Sequence, residues 1–160
     1  MKRFLISLLL LAFIFGIVGP VMAANTATQV VTYQVQAINE ISVSGNPGAL
    51  IVSTATAGQQ PNEVLDNSTT YNITTNETNK TITGALAVAM PAGVTLKINL
   101  VAPTGATSVG DVTLTTTAQN LVTGITKVAE SGKVITYKLS ATVSAGVITS
   151  STNTVTLTLQ

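Results

Sequence analysis

The chain has 160 residues, seven basic and six acidic, for a formal net charge of +1, and it contains no cysteine, histidine or tryptophan. Those absences exclude a disulfide framework, thiolate or imidazole metal sites, and catalytic groupings built on Ser–His or Cys–His pairs. So few cations also leave no basic footprint for nucleic acid.

Residues 1–23 read as a signal peptide. Lys2 and Arg3 precede an apolar run over residues 4–15 that only Ser7 interrupts, and Gly16, Gly19 and Pro20 end it. Val21-Met22-Ala23 then supplies small or tolerated residues for a cut after Ala23. The run is short for a bilayer span, which takes about 20 residues, so membrane contact is expected only through this segment if it stays uncleaved. The remaining residues, 24–160, suit one domain of 137 residues. Cleavage removes both Lys2 and Arg3, so the formal charge falls from +1 to −1 and every remaining cation is a lysine. All three Phe residues leave as well, and the only aromatics left are Tyr33, Tyr71 and Tyr137.

From there the hydropathy alternates with period two, the pattern of half-buried strands. Val31, Tyr33, Val35 and Ala37 share one face of a first strand expected over residues 28–37, and the phase resumes at Ile41 and Val43. A single helical turn fits near residues 63–66, and Asn72 falls within a strand. Ile82, Leu86, Val88 and Met90 form the next apolar face, and Val94, Leu96, Ile98 and Leu100 the clearest one. Ile135, Tyr137, Leu139, Ala141 and Val143 follow, and Val155, Leu157 and Leu159 close the chain. Turn residues punctuate these runs at 45–48, 58–62, Pro91-Ala92-Gly93, Pro103-Thr104-Gly105 and Ser131-Gly132. Eight or nine short strands at this spacing predict an all-β fold, an antiparallel two-sheet β-sandwich. Thr alternates with Val, Leu and Ile because a β-branched side chain fits the pleat while its hydroxyl meets water.

The side chains that remain offer little chemistry. Lys97 and Lys138 stand at outward strand positions, where a lysine is solvated and guards against edge aggregation. The acids Glu40, Glu63, Asp66, Glu77, Asp111 and Glu130 fall in turns or at strand ends, not as a catalytic pair. Glu63 and Asp66 with Asn62 and Asn67 form the main oxygen-rich cluster, but no calcium-loop motif is present. No catalytic, cofactor-binding or metal residue is therefore assigned, no cofactor is expected, and the chain reads as a non-enzyme. Four N-x-[ST] sequons cluster at Asn67, Asn72, Asn76 and Asn79, the candidate glycosylation sites. In a chain this rich in Ser and Thr, some sequons arise by composition alone. Each remaining Tyr sits in a Thr-Tyr-x-aliphatic tetrapeptide, at Tyr33, Tyr71 and Tyr137, and is expected in the apolar phase with its hydroxyl at the core's edge.

The signal peptide, the Thr32-Tyr33-Gln34-Val35-Gln36 strand and the Thr154-Val155-Thr156-Leu157-Thr158-Leu159 ending resemble secreted immunoglobulin-like subunits of prokaryotic surface layers, matrix fibres and pili. The resemblance implies an immunoglobulin-like sandwich and a structural or adhesive role at the cell surface or in the secreted medium. The expected partners are further copies of the chain or a cell-surface polymer. Long β-prone segments with little charge suit fibre formation by strand addition, with the first or the last strand as donor. A monomeric module that binds carbohydrate or cell-wall polymer is the alternative.

Overall fold

The computed structural model describes residues 25–160, so the expected signal peptide, residues 1–23, lies outside the described residues. Two units are distinguished, one ending at Val35 and a body of Gln36–Gln160. Among the described residues no helix is long and apolar enough to cross a membrane.

The body is all-β. In chain order its strands are β1 (Asn39–Val43), β2 (Val64–Thr75), β3 (Lys80–Leu86), β4 (Val94–Leu100), β5 (Thr107–Ser108), β6 (Val112–Thr113), β7 (Gln119–Ile125), β8 (Val128–Ala141) and β9 (Val155–Leu159). They build two antiparallel sheets, one ordered β1-β2-β8-β4-β6 and the other β5-β7-β3-β9. The core lies between them. From the first sheet come the cross-strand pairs Leu100–Ile135 and Ile98–Tyr137, and from the second Ile82, Leu86, Leu121 and Ile125, all buried. Each such aliphatic side chain contributes roughly 1.5–3 kcal/mol on burial.

Local chemistry sets the departures from plain alternation. Gly84 occupies the inward position between Ile82 and Leu86, and a Cβ there would stand 2.7 Å from the Leu121 side chain. The gap in the apolar phase of β3 is thus filled from β7. Gly132 adopts φ +68° inside β8, beside an irregularity in the β2–β8 register, and its N–H donates to Asn72 Oδ1 at 2.9 Å. The predicted turn at Ser131-Gly132 is therefore a bend within one 14-residue strand. The helical turn expected near residues 63–66 is also replaced, because Val64, Leu65 and Asp66 pair with Leu139, Lys138 and Tyr137. Pro91-Ala92-Gly93 does form a turn, with Val94 N–H donating to Pro91 O at 3.0 Å. It carries the chain from one sheet to the other, from β3 to β4, and does not close a hairpin.

The three tyrosines diverge. Tyr71 and Tyr137 are buried, and the Tyr71 hydroxyl donates to Val101 O at 2.7 Å. Tyr33 is 90% exposed. Residues 28–37, the expected first strand, have no strand partner among the described residues, and pairing begins at Asn39.

Candidate functional site

A concave feature of the body follows from unequal strand lengths. β2 and β8 have 12 and 14 residues, whereas β3 and β9 in the facing sheet have seven and five. The first sheet therefore projects past the second. Along its inner face the pairs pass from the buried Leu100–Ile135 and Ile98–Tyr137 to Leu96–Leu139 and Val94–Ala141, which are only half-buried. The uncovered end is the floor of a groove of about 1750 Å³. That volume exceeds the roughly 300–1,000 Å³ of ordinary small-molecule pockets.

Its walls are chain outside the strands, with one short 3-10 helix at Val143–Ala145. One is the segment after β1, including Leu50 and Ile51, and the other runs from Thr142 to β9. Side-chain hydrogen bonds hold both in place. Gln60 Oε1 accepts from Val143 N–H at 2.9 Å, and Asn153 Nδ2 donates to Val88 O at 2.6 Å. Asp66 Oδ2 accepts from Gly48 N–H at 3.2 Å. Among the described residues, the backbone groups of residues 49–53 and 147–152 make no hydrogen bond. Among the described residues β1 pairs only with β2, and β9 only with β3, so each is an edge strand of its sheet. No lining residue of the groove carries a charge. Thr69, buried in the lining, has a hydroxyl without a hydrogen-bond partner.

The charged groups lie elsewhere and act as clasps. Lys133, then Thr104 N–H at 2.8 Å, hold the Glu130 carboxyl down to a pKa of about 2. Lys138 at 2.5 Å and then Asn99 at 3.0 Å lower the Asp111 pKa, and Asp111 raises that of Lys138. Asp111 thus favours the protonated form of Lys138. Lys80 at 2.7 Å and then Asn39 lower the Glu77 pKa. Ser68, through its hydroxyl at 2.7 Å and its N–H at 3.1 Å, lowers that of Asp66, with Gly48 adding to the effect. The Asp66 carboxylate of the oxygen-rich cluster is thus engaged by a turn. Among the described residues, no three His, Cys, Asp or Glu side chains group as metal ligands.

These clasps give stability a defined acid limb. A carboxyl whose folded pKa lies below its unfolded value stabilises fully above the unfolded value, and that contribution goes as pH falls through the folded one. For Glu130 the window runs from the ordinary 4.5 down to about 2. Urea midpoints are expected to hold from neutral pH to about 5 and then to fall, less steeply for Glu130→Gln. An unchanged midpoint at pH 3 would refute the pairing.

The four sequon asparagines differ in their surroundings. Asn67 is exposed on β2, and Asn79 is exposed in the β2–β3 turn at φ +56°. The other two amides are engaged. Asn72 bonds Gly132 N–H and the Ser42 hydroxyl. Asn76 accepts from Ile38 N–H at 2.9 Å and donates to Gln36 O at 2.7 Å. A glycan on Asn76 would take one of the two Nδ2 hydrogens and leave a single N–H for that second bond. The groove itself was not singled out from the sequence. Its signal is the uncharged stretches 44–62 and 139–160, in which turn residues interrupt the alternation.

Comparison with protein-family models, with curated proteins and with solved structures found no match.

Proposed function

We propose that the protein is an exported structural or adhesive subunit of a cell surface that assembles into fibres by β-strand addition. The observation that carries this reading is the uncharged groove with an edge strand of each sheet, β1 and β9, and unbonded backbone in its walls. An incoming extended chain satisfies such backbone groups and buries its alternate side chains against an apolar floor. Repetition between unlike surfaces of successive copies gives an open filament. Export rests on the residues 1–23 pattern. The finer fold reading is an immunoglobulin-like sandwich, supported by crossings between sheets from β3 to β4 and from β8 to β9. We read the protein as a non-enzyme: three of its carboxylates pair with lysines, Glu77 with Lys80, Glu130 with Lys133 and Asp111 with Lys138, and no charged residue lines the groove. Binding of carbohydrate or wall polymer by a monomer is the weaker reading. The groove has only the largely buried Tyr137 as an aromatic, whereas an amphipathic ring stacks on a ligand when its face is open.

Negative-stain imaging and size-exclusion of the exported protein test the proposal. Fibres or a ladder of oligomers are expected. A single monomer peak at every concentration, with no fibres, would sink it.

A further inference from the structure

Building on the reading of the chain as a self-assembling subunit, we propose that the groove receives residues 28–37 of a second copy. Two candidate donors exist in the sequence, and the topology separates them. β9 already forms five pairs with β3, Ile82–Leu159 through Leu86–Val155, so the C-terminal strand belongs to its own sheet. Residues 28–37 form no strand pairing among the described residues, and only Gln36 O is held, by Asn76 Nδ2. Their alternate side chains Val31, Tyr33 and Val35 are 76%, 90% and 78% exposed. Large apolar groups repeated at strand spacing and left in water mark a surface meant to be covered.

Donor and acceptor match in chemistry. Residues 28–37 contain no charge, and neither does the groove lining. An extended chain of ten residues reaches about 33 Å, longer than the floor strand β4 with its seven residues. Val31, Tyr33 and Val35 would lie on the Leu96–Leu139 floor, while Thr32, Gln34 and Gln36 face outward.

Position within the body explains why the donor comes from another copy. Asn39 pairs with Thr75, and Thr81 exchanges backbone hydrogen bonds with Gln160, so these residues mark one end. Asn76 fixes Gln36 and Ile38 at that same end. The groove floor, at Val94 and Ala141, lies at the other, where β3 finishes at Leu86. A donor rooted at one end and an acceptor opening at the other produce head-to-tail addition with one polarity.

The chain has no cysteine, so an introduced pair reports one contact alone. Two exported full-length chains, one carrying Tyr33→Cys and the other Leu139→Cys, are mixed under mild oxidation. A disulfide-linked heterodimer is expected in at least ~10-fold excess over a control that pairs Tyr33→Cys with Asn67→Cys on the outer face. Equal yields would overturn the proposal. When both substitutions are placed in one chain, links between copies are expected. A closed monomer would show that the chain's own segment fills the groove and would also overturn the proposal. A fluorescent peptide of residues 28–37 is then titrated into the full chain carrying Val31→Asp and Val35→Asp. Saturable binding is expected, with the doubly Asp-substituted peptide roughly 100-fold weaker. Absence of binding would refute the acceptor role. Fibres that persist in the Val31→Asp/Val35→Asp chain would overturn donation by this segment while leaving assembly intact. A parent chain that never assembles would refute the functional reading instead, and the peptide titration would still decide the fit of segment to groove.

Discussion

Ile98→Ala is expected to destabilise the body by about 2–5 kcal/mol, since it deletes buried methyl groups and leaves a cavity that the sheets only partly close. Ile98 is fully buried on β4, which pairs with β8 on one side and β6 on the other. It lies directly across from Tyr137, so its loss also loosens the packing of that ring. A domain of this size has roughly 5–15 kcal/mol in total, and no disulfide holds the chain while the core relaxes. Urea unfolding of the Val31→Asp/Val35→Asp background reads the effect without the concentration dependence that assembly introduces. Thr95→Ala, on the other face of the same strand, is expected to stay within about 0.5 kcal/mol of the parent. A loss below about 1 kcal/mol for Ile98→Ala would mean that the two sheets do not pack on this residue.

The sequence announces Ile98 because its strand has no competing feature. Val94, Leu96, Ile98 and Leu100 alternate with Thr95, Lys97 and Asn99, and all four apolar side chains face inward as expected. Elsewhere a second influence overrides periodicity. Val88 continues the phase of Ile82 and Leu86, yet β3 ends at Leu86 and Val88 is 67% exposed, since periodicity does not mark where pairing stops. At Gly132 a positive φ, bonded through Asn72, keeps β8 continuous where Ser131-Gly132 reads as a turn. The short strands β5 and β6 have two residues each, too few for any period to show. The sequence marks the groove only through the uncharged stretches that form its walls, residues 44–62 and 139–160. Leu96 and Leu139 look like core residues in sequence, and only the shorter facing sheet leaves them half-covered. Tyr33 likewise shares the Thr-Tyr-x-aliphatic pattern with Tyr71, but among the described residues no strand pairs beside it as β1 and β8 do beside Tyr71.

Leu139→Asp is expected to abolish fibre formation while leaving the body folded. This position combines the two properties that the test requires. Leu139 lines the groove opposite Leu96, so a carboxylate there must lose water when an apolar strand is laid over it. It is also only half-buried in the unoccupied groove, so the charge keeps solvent access in the free subunit, and the cost to folding stays well below that of Ile98→Ala. Subunit affinity is expected to fall by roughly 100-fold, from lost apolar burial and the added desolvation. Leu65→Asp supplies the control: Leu65 is 60% exposed on the outer face of the same sheet and pairs with Lys138, so the same substitution there leaves the groove intact. Sedimentation measures the polymer fraction and near-ultraviolet circular dichroism the folded state of each variant. Parent-like fibres from Leu139→Asp would show that the contact between copies lies outside the groove. Equal loss in both variants would point to general charge repulsion, because one aspartate buried at an interface and one left in water differ only in what covers them.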